Sequence, residues 1–333
     1  MKHRKLLLTF FGAGESAGTV INTTTAAELT PEMKEYYKTL LIKLTGPALV
    51  HDQFAQKRDI PKNGGKVIEF RKVSPFAKAL TPLTEGVTPD GHKMEVTAIK
   101  AEVKQYGDFV MLSDVVQLTA VDRLLVEATE LNGQQAGETL DTVTREVINA
   151  GTNVQYAGGV GGRAAITGDS VMTVNEIMLA VATLKGANAK PVDDSFVCLI
   201  HPYVSYDLQR DPEYKDLFKF NNTKPLYTGE VGKFQGVRFV ETSEAKIFAA
   251  EGADDISVFS TLVIGKNAYG TTTIDGAGLQ HIVKPLGSAG SADPLNQRGT
   301  AGWKALKTAI ILVNAYMVRI ESCASKYLTQ AAN

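Results

Sequence analysis

The sequence predicts an α+β fold, and three features of its organisation support that class. A stretch of about thirty residues near 119–150 has helical periodicity, strand-like segments are scattered along the chain, and a long hairpin precedes the helix. Helices and strands do not alternate regularly, so segments far apart in sequence are expected to share a sheet.

The composition excludes several classes of protein. The chain has 333 residues, 44% of them hydrophobic, and a formal net charge of -1. The length is enough for about two domains with packed cores. A protein that wraps nucleic acid normally carries a basic excess, and a disordered chain has fewer apolar residues. The two cysteines, Cys198 and Cys323, are too few for a disulfide framework or a zinc cluster, which favours a reducing compartment.

The first thirty residues are expected to form an arm that docks on another surface. Their apolar run, Leu6–Phe11, is shorter than the roughly 7–15 residues of a signal-peptide core. No stretch reaches the ~18–20 apolar residues of a membrane span. The segment Gly12–Gly18 approximates a dinucleotide-binding turn, but β-branched residues follow where a helix would have to begin. A helix is then predicted at Pro31–Leu49.

The hairpin that follows has a long, irregular tip. Lys66–Val73 and Met94–Ala98 are strand-like, and the nineteen residues Ser74–His92 between them are rich in proline and glycine. Loops of this length in compact domains are usually functional or disordered. This tip also carries four large apolar residues, so either it folds back on its own domain or a partner subunit covers it. These residues are Phe76, Leu80, Leu83 and Val87.

The strongest helical pattern is expected to begin at a capping box, Thr119–Asp122, and to stop at Ala150–Gly151. An apolar stripe runs along it, and Gly133 and Gly137 are candidate kink positions. The charged residues of this helix are expected on the faces outside the apolar stripe. These faces form either an ordinary solvated surface or a surface that must not bind a polyanion tightly. The charged residues are Asp122, Arg123, Glu127, Glu130, Glu138, Asp141, Arg145 and Glu146.

The second half of the chain mixes shorter elements. A helix is predicted at Thr173–Lys185, and another follows His201 and Pro202 towards Phe220. The predicted strands are Ser195–Ile200, Gly236–Glu241, Ile256–Ile264 and Thr308–Arg319.

Signs of catalysis are weak. The five histidines are widely separated, and the common nucleophile, zinc and phosphate-loop motifs are missing from the sequence. His201, at the end of a predicted buried strand, is the best single candidate for acid–base work, although a histidine there is more often a packing residue. Asp193–Asp194 and Asp254–Asp255 could bind a cation but are more often turn caps. No catalytic residue, cofactor or metal is therefore assigned.

Several motifs together resemble the major capsid protein of tailed bacteriophages, particularly the N-four-type podovirus group. The similarity extends roughly over residues 22–321, and its specificity lies in the order and spacing of motifs that are individually modest. The motifs are Thr81–Gly86, Gln105–Asp114, Gly137–Asp141, Ala150–Asn153 and Asp293–Lys304.

The resemblance implies the shell-forming fold shared by tailed phages and herpesviruses, with five regions. They are an N-terminal arm and first helix (1–51), an extended hairpin loop (52–112), a peripheral domain with a spine helix at about 119–150 (113–189), an axial domain (190–285) and a C-terminal return to the peripheral domain (286–333).

The resemblance also implies a function: self-assembly into hexamers and pentamers of an icosahedral shell around packaged double-stranded DNA, without sequence-specific DNA binding. A separate scaffolding protein and a portal are expected as partners, and no contact with a membrane is expected. The expected location of the protein is the virion, which is assembled in the host cytoplasm. The candidate interface residues are Phe76, Leu80, Leu83, Glu85 and Val87. Arg298 and Trp303 are candidates for packing and orientation.

Two alternatives stay open at this point. An encapsulin-type compartment has the same architecture but encloses cargo enzyme. A soluble oligomeric enzyme using His201 belongs to a different class and would have a ligand-filled cleft. Covalent cross-linking between subunits is not assigned, because no partner for Lys78 at the hairpin tip can be identified.

Overall fold

A computed structural model describes most of the chain from Val50 onward. The predicted N-terminal arm and the predicted helix at Pro31–Leu49 lie outside the described residues. No helix in the described part is long and apolar enough to span a membrane. The described residues are 50–59, 66–73, 76–83, 85–86, 88, 91–119, 124–215, 233–234, 236–272, 279–284, 286–288 and 293–333.

Helices and strands combine in the predicted α+β architecture. The helices are α1 (Asp114–Thr119), α2 (Leu124–Asn149), α3 (Val174–Gly186) and α4 (Pro202–Arg210). The strands are β1 (Gln56–Arg58), β2 (Val67–Val73), β3 (Val96–Glu102), β4 (Lys104–Ser113), β5 (Val154–Tyr156), β6 (Phe196–Ile200), β7 (Lys233–Phe234), β8 (Val237–Glu241), β9 (Ile247–Phe248), β10 (Val258–Ile264), β11 (Tyr269–Thr272), β12 (Leu279–Lys284), β13 (Arg298–Lys307), β14 (Ala309–Ile311) and β15 (Met317–Ser322).

Among the described residues, the largest sheet has seven strands in the order β5-β15-β10-β6-β8-β7, with β9 pairing with β10. Every residue of β10 is buried, which explains its nearly continuous apolar sequence. On one face, Phe259 and Val263 belong to the core formed with α3 and α4. On the other face, Leu262 packs in a second core that includes Ile148 of α2. The sheet is therefore covered on both faces.

A second, antiparallel sheet has the order β12-β13-β4 and lies against α2. Its register runs from Arg298 opposite Ser113 to Lys307 opposite Lys104. Trp303, Ala305 and Tyr106 lie on one face of this sheet and pack against Ala136 and Leu140 of α2. Trp303 is thereby fixed between helix and sheet.

The hairpin joins the body at a third sheet. Strands β2 and β3 pair antiparallel over seven residues, from Val67 opposite Glu102 to Val73 opposite Val96. At the base of the hairpin, Ile68 and Phe70 pack against Leu306 and Ile310. The small sheet beside this contact has the order β1-β11-β14, with β1 parallel to β11.

The described residues test one of the two predicted boundaries of α2. The helix ends at Asn149, next to the predicted stop, and it continues through Gly133 and Gly137 without a break. Its described start is Leu124, whereas Thr119 ends the short helix α1. The remaining residues of the predicted capping box, 120–122, lie outside the described residues, so the predicted start of the helix stays a prediction.

The prediction of a single strand near the C-terminus is wrong. Thr308–Arg319 is not one strand, because β14 ends at Ile311 and β15 begins at Met317. The amide N–H groups of Leu312 and Val313 both donate to the carbonyl of Ala268, which turns the chain between the two strands.

The assignment of all the helix charges to solvated faces is also wrong. Asp141 and Arg145 are buried, with exposures of 2% and 1%, whereas Glu130 and Glu146 are exposed. The two buried charges lie on the side of α2 that meets the body of the protein, and each has partners there. Helical periodicity alone does not distinguish a buried paired charge from a solvated one.

Candidate assembly site

The strands of the hairpin arm alternate between buried and exposed side chains only at their base. Ile68 and Phe70 are buried, and Ala101 and Ile99 lie opposite them on β3. This alternation is the pattern of a strand with one face on a core. Towards the tip this alternation ends. Val96, the paired residue of β3 nearest the tip, is 48% exposed. The arm therefore leaves the body just beyond Phe70.

The tip of the arm presents large apolar side chains to its surroundings. Phe76 is 59%, Leu80 82% and Leu83 77% exposed, and Glu85 beside them is also exposed. The ring of Phe76 stacks on that of His92 with centroids 6.2 Å apart, which links the two sides of the arm. Four of the five predicted interface residues thus share one segment, and the fifth, Val87, lies outside the described residues.

The base of the arm is seated by a close contact between a ring and a glycine. Phe70 is 1% exposed, and its ring lies over Gly270 of β11. A Cβ atom at position 270 would come within 2.5 Å of that ring. Only glycine allows this approach, so the position of the arm on the body depends on it.

A buried polar cluster lies beside the base of the arm, and no pattern in the sequence predicts it. The backbone N–H of His51 donates to Asp141 Oδ1 at 2.8 Å, and His51 Nδ1 lies 2.6 Å from Asp141 Oδ2. The hydroxyl of Tyr269 donates to the carbonyl of His51. Burial, together with the charges of Asp52 and Asp141, raises the pKa of Tyr269. The cluster ties the chain just before the arm to α2.

The same cluster contains a buried ion pair. Lys307 Nζ donates to Asp52 Oδ2, and Thr144 Oγ1 donates to Asp52 Oδ1 at 2.6 Å. Lys307 is fully buried, and desolvation lowers its pKa although the charge of Asp52 opposes that shift. The ion pair joins residues that precede the arm to the end of β13. No sequence signal could find it, because its partners are 255 residues apart.

A second charged cluster reinforces the large sheet. Glu321 is fully buried, and its carboxylate accepts hydrogen bonds from Arg163 Nε and Nη2, both at 2.7 Å. Arg319 Nε lies 2.8 Å from Glu321 Oε1. The hydrogen bond to Glu321 raises the pKa of Arg163 above the ordinary value of a guanidinium group. This arrangement fixes the orientation of the segment around Arg163 against β15.

The two candidate packing residues both lie on β13. Trp303 is 5% exposed, and its Nε1 donates to Gln135 Oε1 of α2 at 3.1 Å. At the start of the strand, the backbone N–H of Arg298 donates to Asp293 Oδ2 at 2.8 Å. The guanidinium Nε of Arg298 lies 4.0 Å from Asp293 Oδ1. The structure therefore places both residues at the sheet next to α2, away from the residues of the arm tip.

His201 has the contacts of a helix cap. Its Nδ1 accepts a hydrogen bond from the backbone N–H of Tyr203 at the start of α4, at 3.1 Å. Its ring packs on Tyr203 and Phe259, with centroids 4.6 and 5.0 Å away. Burial lowers its pKa to about 4, so the ring is neutral at pH 7. Within the described ranges, His, Cys, Asp and Glu form no cluster that could hold a metal ion.

The family comparison matches the middle of the chain. A family model described as phage capsid protein matches residues 96–277, a little more than half of the sequence. The match begins at β3 and includes α2, α3, α4 and most of the seven-stranded sheet. A comparison with curated protein sequences gave no significant match.

Similar solved structures extend the match beyond that region. The capsid of Ralstonia phage GP4 is 12% identical, with a TM-score of 0.64 over 84% of this chain and 88% of that chain. The capsid of cyanophage P-SCSP1u is 16% identical, with a TM-score of 0.63 over 84% and 90%. The cyanophage Pam1 capsid is 14% identical, with a TM-score of 0.64 over 78% and 86%. At these identities the similarity shows a common fold.

Proposed function

This chain belongs to the phage capsid protein family, and we propose that its copies form hexamers and pentamers of an icosahedral shell that encloses double-stranded DNA. As a family member it is a major capsid protein, a structural subunit of the phage shell. The family match favours a phage shell over a cargo compartment of the same architecture. The predicted N-four-type subgroup stays a prediction.

The observation that carries the proposed assembly is the exposure of the arm tip. Leu80 and Leu83 are among the most exposed large apolar residues of the described chain. A soluble monomer has little reason to keep several such groups together at the end of a projecting hairpin. A shell subunit does, since it needs contact area that reaches beyond its own body. Phe76, Leu80, Leu83, Glu85 and Val87 are therefore our proposed interface residues.

We propose a separate role in the shell for each of the five regions predicted from the sequence. Residues 52–112 supply the reaching arm, and 113–189 the peripheral domain with the spine helix. Residues 190–285 form the axial domain at the centre of each capsomer, and 286–333 return to the periphery. Residues 1–51 form the N-terminal arm and first helix.

The charge of the chain suits contact with DNA without tight binding. The formal net charge is -1 over 333 residues. Affinity for duplex DNA comes largely from neutralised phosphates, and many such contacts would oppose packaging and release. The proposed role therefore includes no sequence-specific DNA binding, and we propose it as a structural role without an enzymatic step. We also propose that a separate scaffolding protein and a portal are partners of this chain, and that assembly takes place in the host cytoplasm.

A charge at the arm tip tests the proposed interface. Leu83→Asp should leave a soluble subunit with normal circular dichroism but stop shell formation, because a carboxylate cannot be desolvated there without a partner. Leu83→Met keeps the position apolar and serves as the matched control. Electron microscopy of both variants, each co-expressed with the scaffolding protein, measures the outcome. Normal shells from the Leu83→Asp variant would show that Leu83 does not belong to the interface.

A further inference from the structure

The ten residues 324–333, which follow β15 and Cys323, form an extended segment that we call the strap. The strap contains no helix or strand, and most of its residues are exposed. It is nevertheless attached to three other parts of the molecule by hydrogen bonds. The first attachment is to α4, the second is to the residue before β10, and the third is to α2 and the loop before β9.

The first attachment fixes the start of the strap on α4. The backbone N–H of Ser325 donates to Oδ2 of the buried Asp207 at 2.7 Å. Two residues further on, the ring of Tyr327 stacks on that of Tyr203, with centroids 3.7 Å apart and planes 10° apart. Asp207 and Tyr203 both belong to α4, which packs in the core on one face of the large sheet. The strap therefore begins on the proposed axial region.

The second attachment is to Ser257, the residue before β10. The backbone N–H of Ser257 donates to the carbonyl of Leu328 at 2.7 Å. Its hydroxyl donates to the carbonyl of Gln330 at 2.9 Å and accepts from the backbone N–H of Gln330 at 2.8 Å. Ser257 is buried, whereas Leu328 is 38% exposed. This attachment therefore consists of hydrogen bonds with little burial of apolar strap residues.

The third attachment joins Asn333 to α2 and to the loop before β9. Asn333 Oδ1 accepts from the backbone N–H of Ile247 at 3.0 Å, and its Nδ2 donates to the carbonyl of Ala245 at 2.8 Å. The backbone oxygen of Asn333 accepts from Arg145 Nη2 of α2 at 2.7 Å. Arg145 Nη1 also donates to the carbonyl of Glu244 at 2.9 Å. Asn333 and Arg145 therefore hold the same loop and contact each other.

The composition of the strap makes it easier to detach than the sheet beside it. A segment with exposed hydrogen bonds and few buried apolar groups opens at a lower free energy than core strands do. Every residue of β10 is buried, whereas most of the strap is exposed. The strap can therefore open while the cores stay folded. When it opens, α2 keeps the packing of Ile148 on the sheet but loses the bond from Arg145 to Asn333.

We propose that the strap fixes the position of α2 on the axial region through the contact between Arg145 and Asn333, and that it thereby limits the shell to one size. The inference rests on the proposed assembly function and adds a positioning element to it. Heterologous contacts close only when each copy presents its contact surfaces at a suitable fixed angle. Because α2 and the axial region carry different parts of the subunit surface, a looser joint between them should allow more than one curvature.

Hydrogen exchange in wild-type subunits tests whether the strap opens separately. The subunits are produced without the scaffolding protein, and deuterium uptake is followed by mass spectrometry of peptides. The peptide of residues 324–333 should exchange while the peptide that contains β10 is still protected, because the strap opens without the core. Simultaneous exchange of the two peptides would show that the strap opens only with the core, and it would overturn the proposal.

Asn333→Ala tests the attachment to α2 and the loop before β9. The amide of Ile247 should exchange roughly tenfold faster in this variant, because its hydrogen-bond acceptor is lost. Thr329→Ala is the matched control, since Thr329 is an exposed strap residue outside the three attachments, and it should exchange like the wild type. An unchanged rate at Ile247 in Asn333→Ala would overturn the attachment. If Asn333→Ala does not fold, Ser257→Ala carries the same test through the amide of Gln330.

The size of the shells is a result that a change in stability alone would not alter. In electron micrographs of shells assembled with the scaffolding protein, the wild type and Thr329→Ala should show one diameter. Asn333→Ala should give open sheets or closed shells of more than one diameter. Shells of only the wild-type diameter from Asn333→Ala, despite faster exchange at Ile247, would overturn the effect on shell size and leave the shell function intact. Absence of shells from the wild-type chain would contradict the proposed function itself, whereas hydrogen exchange would still decide whether the strap opens separately.

Discussion

The ring of Phe70 lies directly over Gly270, so that a methyl group on the glycine would come within 2.5 Å of the ring. Phe70 belongs to the base of the arm, and Gly270 belongs to a strand of the body. The contact therefore couples the direction of the arm to the packing of the core. This close approach adds to the packing of Ile68 and Phe70 against Leu306 and Ile310 in holding the arm on the body.

Gly270→Ala is expected to displace Phe70 and lower the free energy of unfolding by about 1–3 kcal/mol, as overpacking of a core does. The arm should also become easier to cleave in limited proteolysis. Gly133→Ala is the control, because nothing lies within 4 Å of its Cβ position in α2. It should stabilise the protein by roughly 0.5–1 kcal/mol through helix propensity. Equal behaviour of the two variants in denaturant titration would contradict the role of Gly270.

Removing Lys307 should be strongly destabilising. Lys307→Met leaves the carboxylate of Asp52 buried without its charge partner, and the free energy of unfolding should fall by about 3–5 kcal/mol. Adding Asp52→Asn removes that stranded charge while Thr144 can still donate to the amide oxygen. The double variant should therefore recover part of the loss. A double variant less stable than Lys307→Met would show that the ion pair is not the source of the effect.

The stability of the fold should depend on pH through His201. Its pKa is about 4 in the folded chain and 6.5 in the unfolded chain, so the unfolded state binds more protons between these values. Stability should therefore fall as the pH drops from about 6.5 to about 4, by at most about 3 kcal/mol. His201→Asn can still cap α4 but does not titrate. Denaturant unfolding across this pH range should show a smaller loss for the variant, and an identical loss would refute the assignment.

Trp303 tests the attachment of α2 to the sheet. Trp303→Ala should lower the free energy of unfolding by about 3–5 kcal/mol, since it empties the contact with Ala136 and Leu140. Trp303→Phe keeps a smaller ring there and loses the hydrogen bond to Gln135, worth about 0.5–1.5 kcal/mol, together with part of the indole's packing, so its loss should be smaller than that of Trp303→Ala. Similar losses from the two substitutions would mean that packing is not the main contribution.

Local patterns made much of the fold predictable. The stripe of apolar residues predicted the position of α2 and its end near Asn149, and the strand-like segment Lys66–Val73 predicted one strand of the arm. A proline-rich tip that carries leucines could be recognised because turn residues and apolar residues are identified from the sequence alone, whereas the exposure of Leu80 and Leu83 comes from the structure.

Features that depend on distant partners could not be predicted. Asp141 looks like any helix-surface charge, and only its contact with His51, 90 residues away, shows that it is buried. The cross-strand row of Phe109, Gly302 and Ile282 likewise depends on the register of three strands, because nothing local in the sequence places these residues side by side. The same limit applies to Thr308–Arg319, whose local pattern predicts one strand, because the break in it is set by hydrogen bonds to the carbonyl of Ala268.

The central claim is that copies of this chain build a closed shell through the arm. Its most direct test is a cryo-electron microscopy reconstruction of particles formed by the wild-type chain co-expressed with its scaffolding protein. We expect closed icosahedral shells of hexamers and pentamers in which Leu80 and Leu83 of each copy are buried against a neighbouring copy. Small open oligomers, or closed shells whose arm tips remain solvent-exposed, would contradict the claim.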